Sequence, residues 1–129
     1  MHALSNRFML FAIAAGVGGM TLGFGMGVTQ DFRLAPAHAH MNLLGWVSMF
    51  LYGLFYRCEP HAARGILPEV QFWLAAVGLA VMIPGLAHVL LGYDLAPLAG
   101  LGAVLTIGSL LVFAAVMLRT MRGGRFWTE

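Results

Sequence analysis

Three histidines in an otherwise apolar chain carry the chemistry open to this sequence. His38 and His40 stand in the run Arg33-Leu-Ala-Pro-Ala-His-Ala-His-Met-Asn-Leu-Leu-Gly-Trp46, at the head of one long apolar stretch, and His88 lies near the end of the next. Imidazole is costly to bury in hydrocarbon unless it is coordinated or hydrogen-bonded. If consecutive stretches run up and down, His88 returns to the side of the first two. Three histidines at one membrane face point to a metal ion or a heme iron. Each iron-bound imidazole uses one ring nitrogen and needs a hydrogen-bond partner for the other. Asn42, or a backbone carbonyl freed at Pro84, could provide one. Arg33, alone on that side, could pair with a heme propionate or serve as an interfacial anchor.

The elements that must hold these residues follow from composition. The chain has 129 residues, 60% of them hydrophobic and only 9% charged, far from the ordinary soluble mixture of about 45–50% apolar and 25% charged. Four apolar segments of about the 20 residues needed to cross a bilayer can be drawn, near residues 8–28, 37–56, 70–92 and 95–118. The expected fold is a single all-α membrane domain, a four-transmembrane-helix up-and-down bundle embedded in a lipid bilayer. The first segment lacks a clean cleavage site and is studded with glycine, so it is expected to be a retained helix.

Every basic side chain that is not histidine is an arginine. Arg7, Arg57, Arg64, Arg119, Arg122 and Arg125 fall on one side of such a bundle and Arg33 alone on the other. The positive-inside rule then places both termini in the cytoplasm and the paired histidines at the outer face, with a bacterial inner membrane as the expected location. The formal net charge of +2 is spread singly between apolar runs, which is no footprint for nucleic acid. Cys58 is the only cysteine, so no intrachain disulfide can form.

Helical angle separates the paired histidines. At 100° per residue His38 shares a face with Asn42, Gly45, Met49, Tyr52, Gly53 and Tyr56, whereas His40 lies about 200° away among Leu43, Leu44, Val47, Leu51 and Leu54. Small and polar residues line helix contacts and bulky aliphatic ones meet lipid, so His38 is expected inside. His40 is expected at the interface or against another subunit. His88 shares a face with Gly78, Val81, Gly85 and Gly92, which leaves room for a flat cofactor or a close helix. Pro84, four residues earlier, is expected to kink that helix. Gly19, Gly23 and Gly27 form a stripe on the first segment, best explained by tight helix association.

Residues 33–38, continuing through Asn42, Gly45 and Trp46, resemble the start of the second helix of subunit I in the heme-copper oxidase superfamily, which includes cytochrome c oxidases and nitric oxide reductases. In that family a histidine at this place ligates the low-spin heme. Alignment through Pro36 puts it on His38, and alignment through the histidine–x–asparagine pattern puts it on His40. Its full-size subunits have about a dozen helices and a histidine-rich copper site, none of which fits here, so oxidase catalysis is not carried over. The resemblance implies heme b held by His38 and His88, with His40 as the alternative ligand.

Two axial histidines leave iron no open position, which suits electron transfer to a partner protein rather than ligand activation. The acidic residues, Asp31, Glu59, Glu69, Asp94 and Glu129, are all expected in loops or at the terminus, leaving no proton relay through the membrane. Four short, glycine-rich helices enclose a heme poorly, so a homo-oligomer is expected. The rival readings are a copper site built from His38, His40, Met41, Met26 and His88, since imidazole and thioether suit copper, a cofactor-free assembly or scaffold protein, and a gas-binding heme sensor or reductase.

Overall fold

A chain this apolar satisfies its backbone hydrogen-bonding groups within itself, and the helix is the local way to do so. The structure, a computed structural model, describes residues 3–122. It contains α1 (Ala3–Thr29), α2 (Ala35–His40), a π-helical segment (Met41–Ser48), α3 (Met49–Cys58), α4 (Ile66–Leu90) and α5 (Ala96–Arg122). No strand occurs among the described residues. Three helices, α1, α4 and α5, are long and apolar enough to cross a membrane.

Residues 35–58 form one rod with a widened middle. The junction residues His40, Met41, Ser48 and Met49 all keep right-handed helical dihedrals, so α2, the π segment and α3 follow without a break. The sequence predicts a plain helix here; the π winding is a difference. A π-helix bonds i to i+5, and the Ser48 hydroxyl donates to the Leu43 carbonyl five residues back at 2.8 Å.

Several helix ends reach beyond the apolar windows, while α4 stops at Leu90 rather than Gly92. α1 begins at Ala3 rather than Phe8, α4 at Ile66 rather than Val70, and α5 runs to Arg122 rather than Leu118. Hydropathy stops at the first polar residue, but arginine carries a long apolar stem and continues a helix well. Glu69, expected in a loop, therefore lies in the first turn of α4. Pro36, Pro68 and Pro97 each stand in a first turn, where a missing N–H breaks no intrahelical bond. α4 continues through Pro84 to Leu90.

Glycine sets both close helix pairs. A Cβ on Gly102 of α5 would lie 2.5 Å from the Met82 backbone nitrogen of α4, and one on Gly85 of α4 2.6 Å from the Ala99 nitrogen of α5. On the other side, a Cβ on Gly45 would meet Ala15 at 2.8 Å and one on Gly53 would meet Phe8 at 3.1 Å. The main core, with Phe8, Ala12, Met49, Tyr56, Phe72 and Val116, sits where the two pairs meet.

The same end gathers the arginines. Arg7 forms an ion pair with Glu69 at 2.8 Å and lies 4.3 Å over the Phe72 ring. Arg57 donates to Asn6 at 2.8 Å, and Arg119 to the Arg64 carbonyl at 3.2 Å. Five of the six arginines assigned to one side thus share one end of the bundle; Arg125 lies outside the described residues.

Candidate functional site: the histidine end

The opposite end carries the three histidines, and His38 is the one held between helices. Its ring packs on α1, where a Cβ on Gly23 would lie 2.7 Å from His38 Cε1. Its Nδ1 is 2.8 Å from the Gly19 carbonyl oxygen. A carbonyl can only accept, so Nδ1 carries a proton, and in the neutral ring Nε2 keeps its lone pair. Asn42 Nδ2 is 3.3 Å from the same Nδ1 but donates to the His38 carbonyl at 2.9 Å. The ring's orienting partner is therefore Gly19, and the expected partner Asn42 serves the backbone instead.

The glycine stripe of α1 is a seat for this stretch. Besides Gly23 under His38, a Cβ on Gly19 would lie 2.6 Å from the Asn42 amide and one on Gly16 3.0 Å from the Trp46 ring. Gly27, part of the expected stripe, meets nothing within 4 Å; Gly16 takes its place. Residues four apart, His38, Asn42 and Trp46, fall in one row toward α1.

His40 sits on a different side and is exposed. Its Nδ1 donates to the Pro36 carbonyl, four residues back, at 2.8 Å. With Leu44, Ser48 and Tyr52 it lines one wall of a groove of about 320 Å³ whose other wall includes Met82, Ala103, Thr106 and Leu110. The inside–outside split drawn from helical angle holds at most positions of the rod, but Tyr52, expected on the His38 face, lies on the His40 wall, and Leu44, expected outside, is half-buried against the core. Gly45, Met49, Gly53 and Tyr56 are buried, while Leu43, Val47, Leu51 and Leu54 are exposed.

His88 is exposed as well. Its Nδ1 donates to the carbonyl of Pro84 itself at 2.8 Å, not to the carbonyl that the proline frees one turn earlier. It occupies the closing turn of α4, where the Tyr93 N–H returns to the His88 carbonyl at 2.9 Å and Gly92 takes φ +92°. That left-handed residue suits glycine and ends the helix. The Tyr93 ring meets the imidazole edge-on at 5.8 Å. Gly78 and Gly85, read as room for a cofactor or a helix, are filled by α5.

Arg33 is engaged rather than open. Its guanidinium forms a two-point pair with Asp31, Nη2 to Oδ2 at 2.6 Å and Nε to Oδ1 at 3.0 Å. Side-chain and backbone bonds from Arg33 hold the Asp31 carboxyl down at about 2. Among the described residues no group of three or more His, Cys, Asp or Glu converges to hold a metal ion. The three histidines thus do not assemble a three-ligand site within this set.

Sequence reading missed the buried polar residues Ser5, Gln71 and Ser109 at the arginine end. A glutamine inside an apolar segment was the available signal. Compared with family models, curated proteins and solved structures, the chain matches none. The resemblance of residues 33–46 therefore stands on those residues alone.

Proposed function

We propose that this chain is a four-span membrane b-type cytochrome that transfers electrons, counting the 35–58 rod as the fourth span. His38 is its interior heme ligand, His88 the second, and His40 the alternative. The observation that carries the reading is the His38 ring. Its Nδ1 proton is fixed on the Gly19 carbonyl across a helix boundary, which leaves Nε2 as the free donor atom in a set orientation. This is the arrangement by which a partner on one ring nitrogen prepares the other for iron. Bound heme would supply a one-electron couple. The chain's own contribution is to hold the tautomer, through Gly19, and to exclude water by seating the ring on Gly23.

Neutral imidazole nitrogens suit heme iron, and copper is the rival. His40 and His88 also hold their Nδ1 protons on local carbonyls, which leaves three separate Nε2 donors. The copper rival would need imidazoles and thioethers gathered at one point, and among the described residues no three of His, Cys, Asp or Glu converge. The exposure of His40 and His88 fits a second copy of the chain covering this end.

Ligand variants test the reading. His38→Ala and His88→Ala should each lose most bound heme, and His40→Ala should retain most of it. Loss confined to His40→Ala would move the ligand to the groove wall, and retention in all three variants would contradict histidine ligation. The ferrous protein should bind carbon monoxide weakly, and rapid stoichiometric binding would favour a gas sensor or reductase.

A further inference from the structure

The interior of the arginine end holds four polar side chains, one from each rod: Ser5 of α1, Tyr56 of α3, Gln71 of α4 and Ser109 of α5. Each is 2% exposed or less. Three of them complete their donor bonds inside the protein. The Ser5 hydroxyl donates to the Gly53 carbonyl at 2.8 Å, the Ser109 hydroxyl to the Gln71 carbonyl at 3.0 Å, and the Tyr56 hydroxyl to Gln71 Oε1. Gln71 is the exception. Its Nε2 has no hydrogen-bond partner, although a primary amide carries two N–H donors.

A fully buried amide in a hydrocarbon-facing bundle does not persist with both donors unmet. Rotating the amide does not complete the network. Nε2 would then donate to the tyrosine oxygen, and Oε1 would be left without a donor. In one orientation the missing partner is an acceptor, and in the other it is a donor. Water is the small species that serves as either.

We propose that Gln71 holds a buried water molecule inside the bundle, between α3, α4 and α5. The ligand is not a cation, because an N–H donor repels one. The site is separate from the histidines, since Gln71 precedes His88 by roughly 25 Å of helix. It stands or falls independently of the heme reading.

The chain has two glutamines, Gln30 and Gln71, so side-chain labelling isolates the site. Gln30 is exposed and serves as the hydrated reference. Protein labelled with glutamine carrying ¹⁵N in the side chain, placed in lipid bilayers with deuterated chains, is examined by solid-state NMR with magnetisation started on water. Gln30→Glu, a change in an exposed turn, leaves Gln71 as the single labelled amide and assigns its signal. The expected result is direct transfer from water to the Gln71 amide, as for a site that keeps its own water. No direct transfer, or a signal fed only by protein and lipid protons, would overturn the proposal.

Discussion

The two ends of the bundle are built to different rules. At the arginine end, Phe8 is fully buried and meets Phe72 at 5.0 Å, Tyr56 at 5.6 Å and Tyr52 at 5.9 Å. Phe113 of α5 joins the same cluster against Tyr52 and Phe55. Four chain segments interlock there, and the arginines tie them at the rim. At the histidine end, α1 beyond Gly19 buries only Met26, while Phe24 is 76% and Tyr93 65% exposed. The lesson is a division of labour. Packing concentrated at one end leaves the other with exposed imidazoles and little buried apolar surface, which makes it the end of lower local stability.

The division is broken most severely by opening the packed end. Phe8→Ala should cost about 3–5 kcal/mol in denaturant unfolding in detergent micelles, the usual range for a buried phenylalanine. His88→Ala, at the open end, should change the same measurement by less than about 1 kcal/mol. Equal losses would mean that the two ends share one core.

A smaller effect is expected where the histidine end does pack. Gly23→Ala places a methyl 2.7 Å from the His38 ring and should cost about 1–3 kcal/mol by overpacking, while displacing Nδ1 from the Gly19 carbonyl. Gly25→Ala, where nothing lies within 4 Å, should stay within about 0.5 kcal/mol of the parent. An equal response at both positions would remove the argument that α1 seats His38.

The smallest effect concerns the loop that precedes α2. Arg33 holds the Asp31 carboxyl at about 2, so the pair is intact at neutral pH and its contribution is lost only as pH falls through that value. In Arg33→Gln the carboxyl should rise toward the ordinary carboxylate value of about 3.9 but stay below it, because the backbone N–H of residue 33 still donates to it, as read by ¹³C NMR of labelled aspartate. An unchanged midpoint would show that the turn, rather than Arg33, sets the value.

Much of this division was legible in the residues. The split of the 35–58 rod into an inner row with His38 and an outer row with Leu43, Val47 and Leu51 follows from the period of a helix, and the arginines mark their common end by count alone. The π winding was not legible, because no local preference marks it, and neither was the seating of Asn42 and Trp46 on Gly19 and Gly16. For the same reason Gly16 was missed and Gly27 included. Asn42 is a natural partner for an imidazole by chemistry, but a cross-helix carbonyl sits nearer, and sequence spacing does not report distances between helices. Gln71 stood in plain view as a polar residue in an apolar run, yet its network needed Tyr56 and Ser109 from other helices to become visible.

The most direct test of the central claim is the absorption spectrum of the purified protein, oxidised and reduced, with iron and copper determined on the same sample. The heme reading predicts sharp low-spin b-type bands on reduction, with iron present in proportion to protein and copper absent. A colourless protein, or one that carries copper in place of iron, would contradict it.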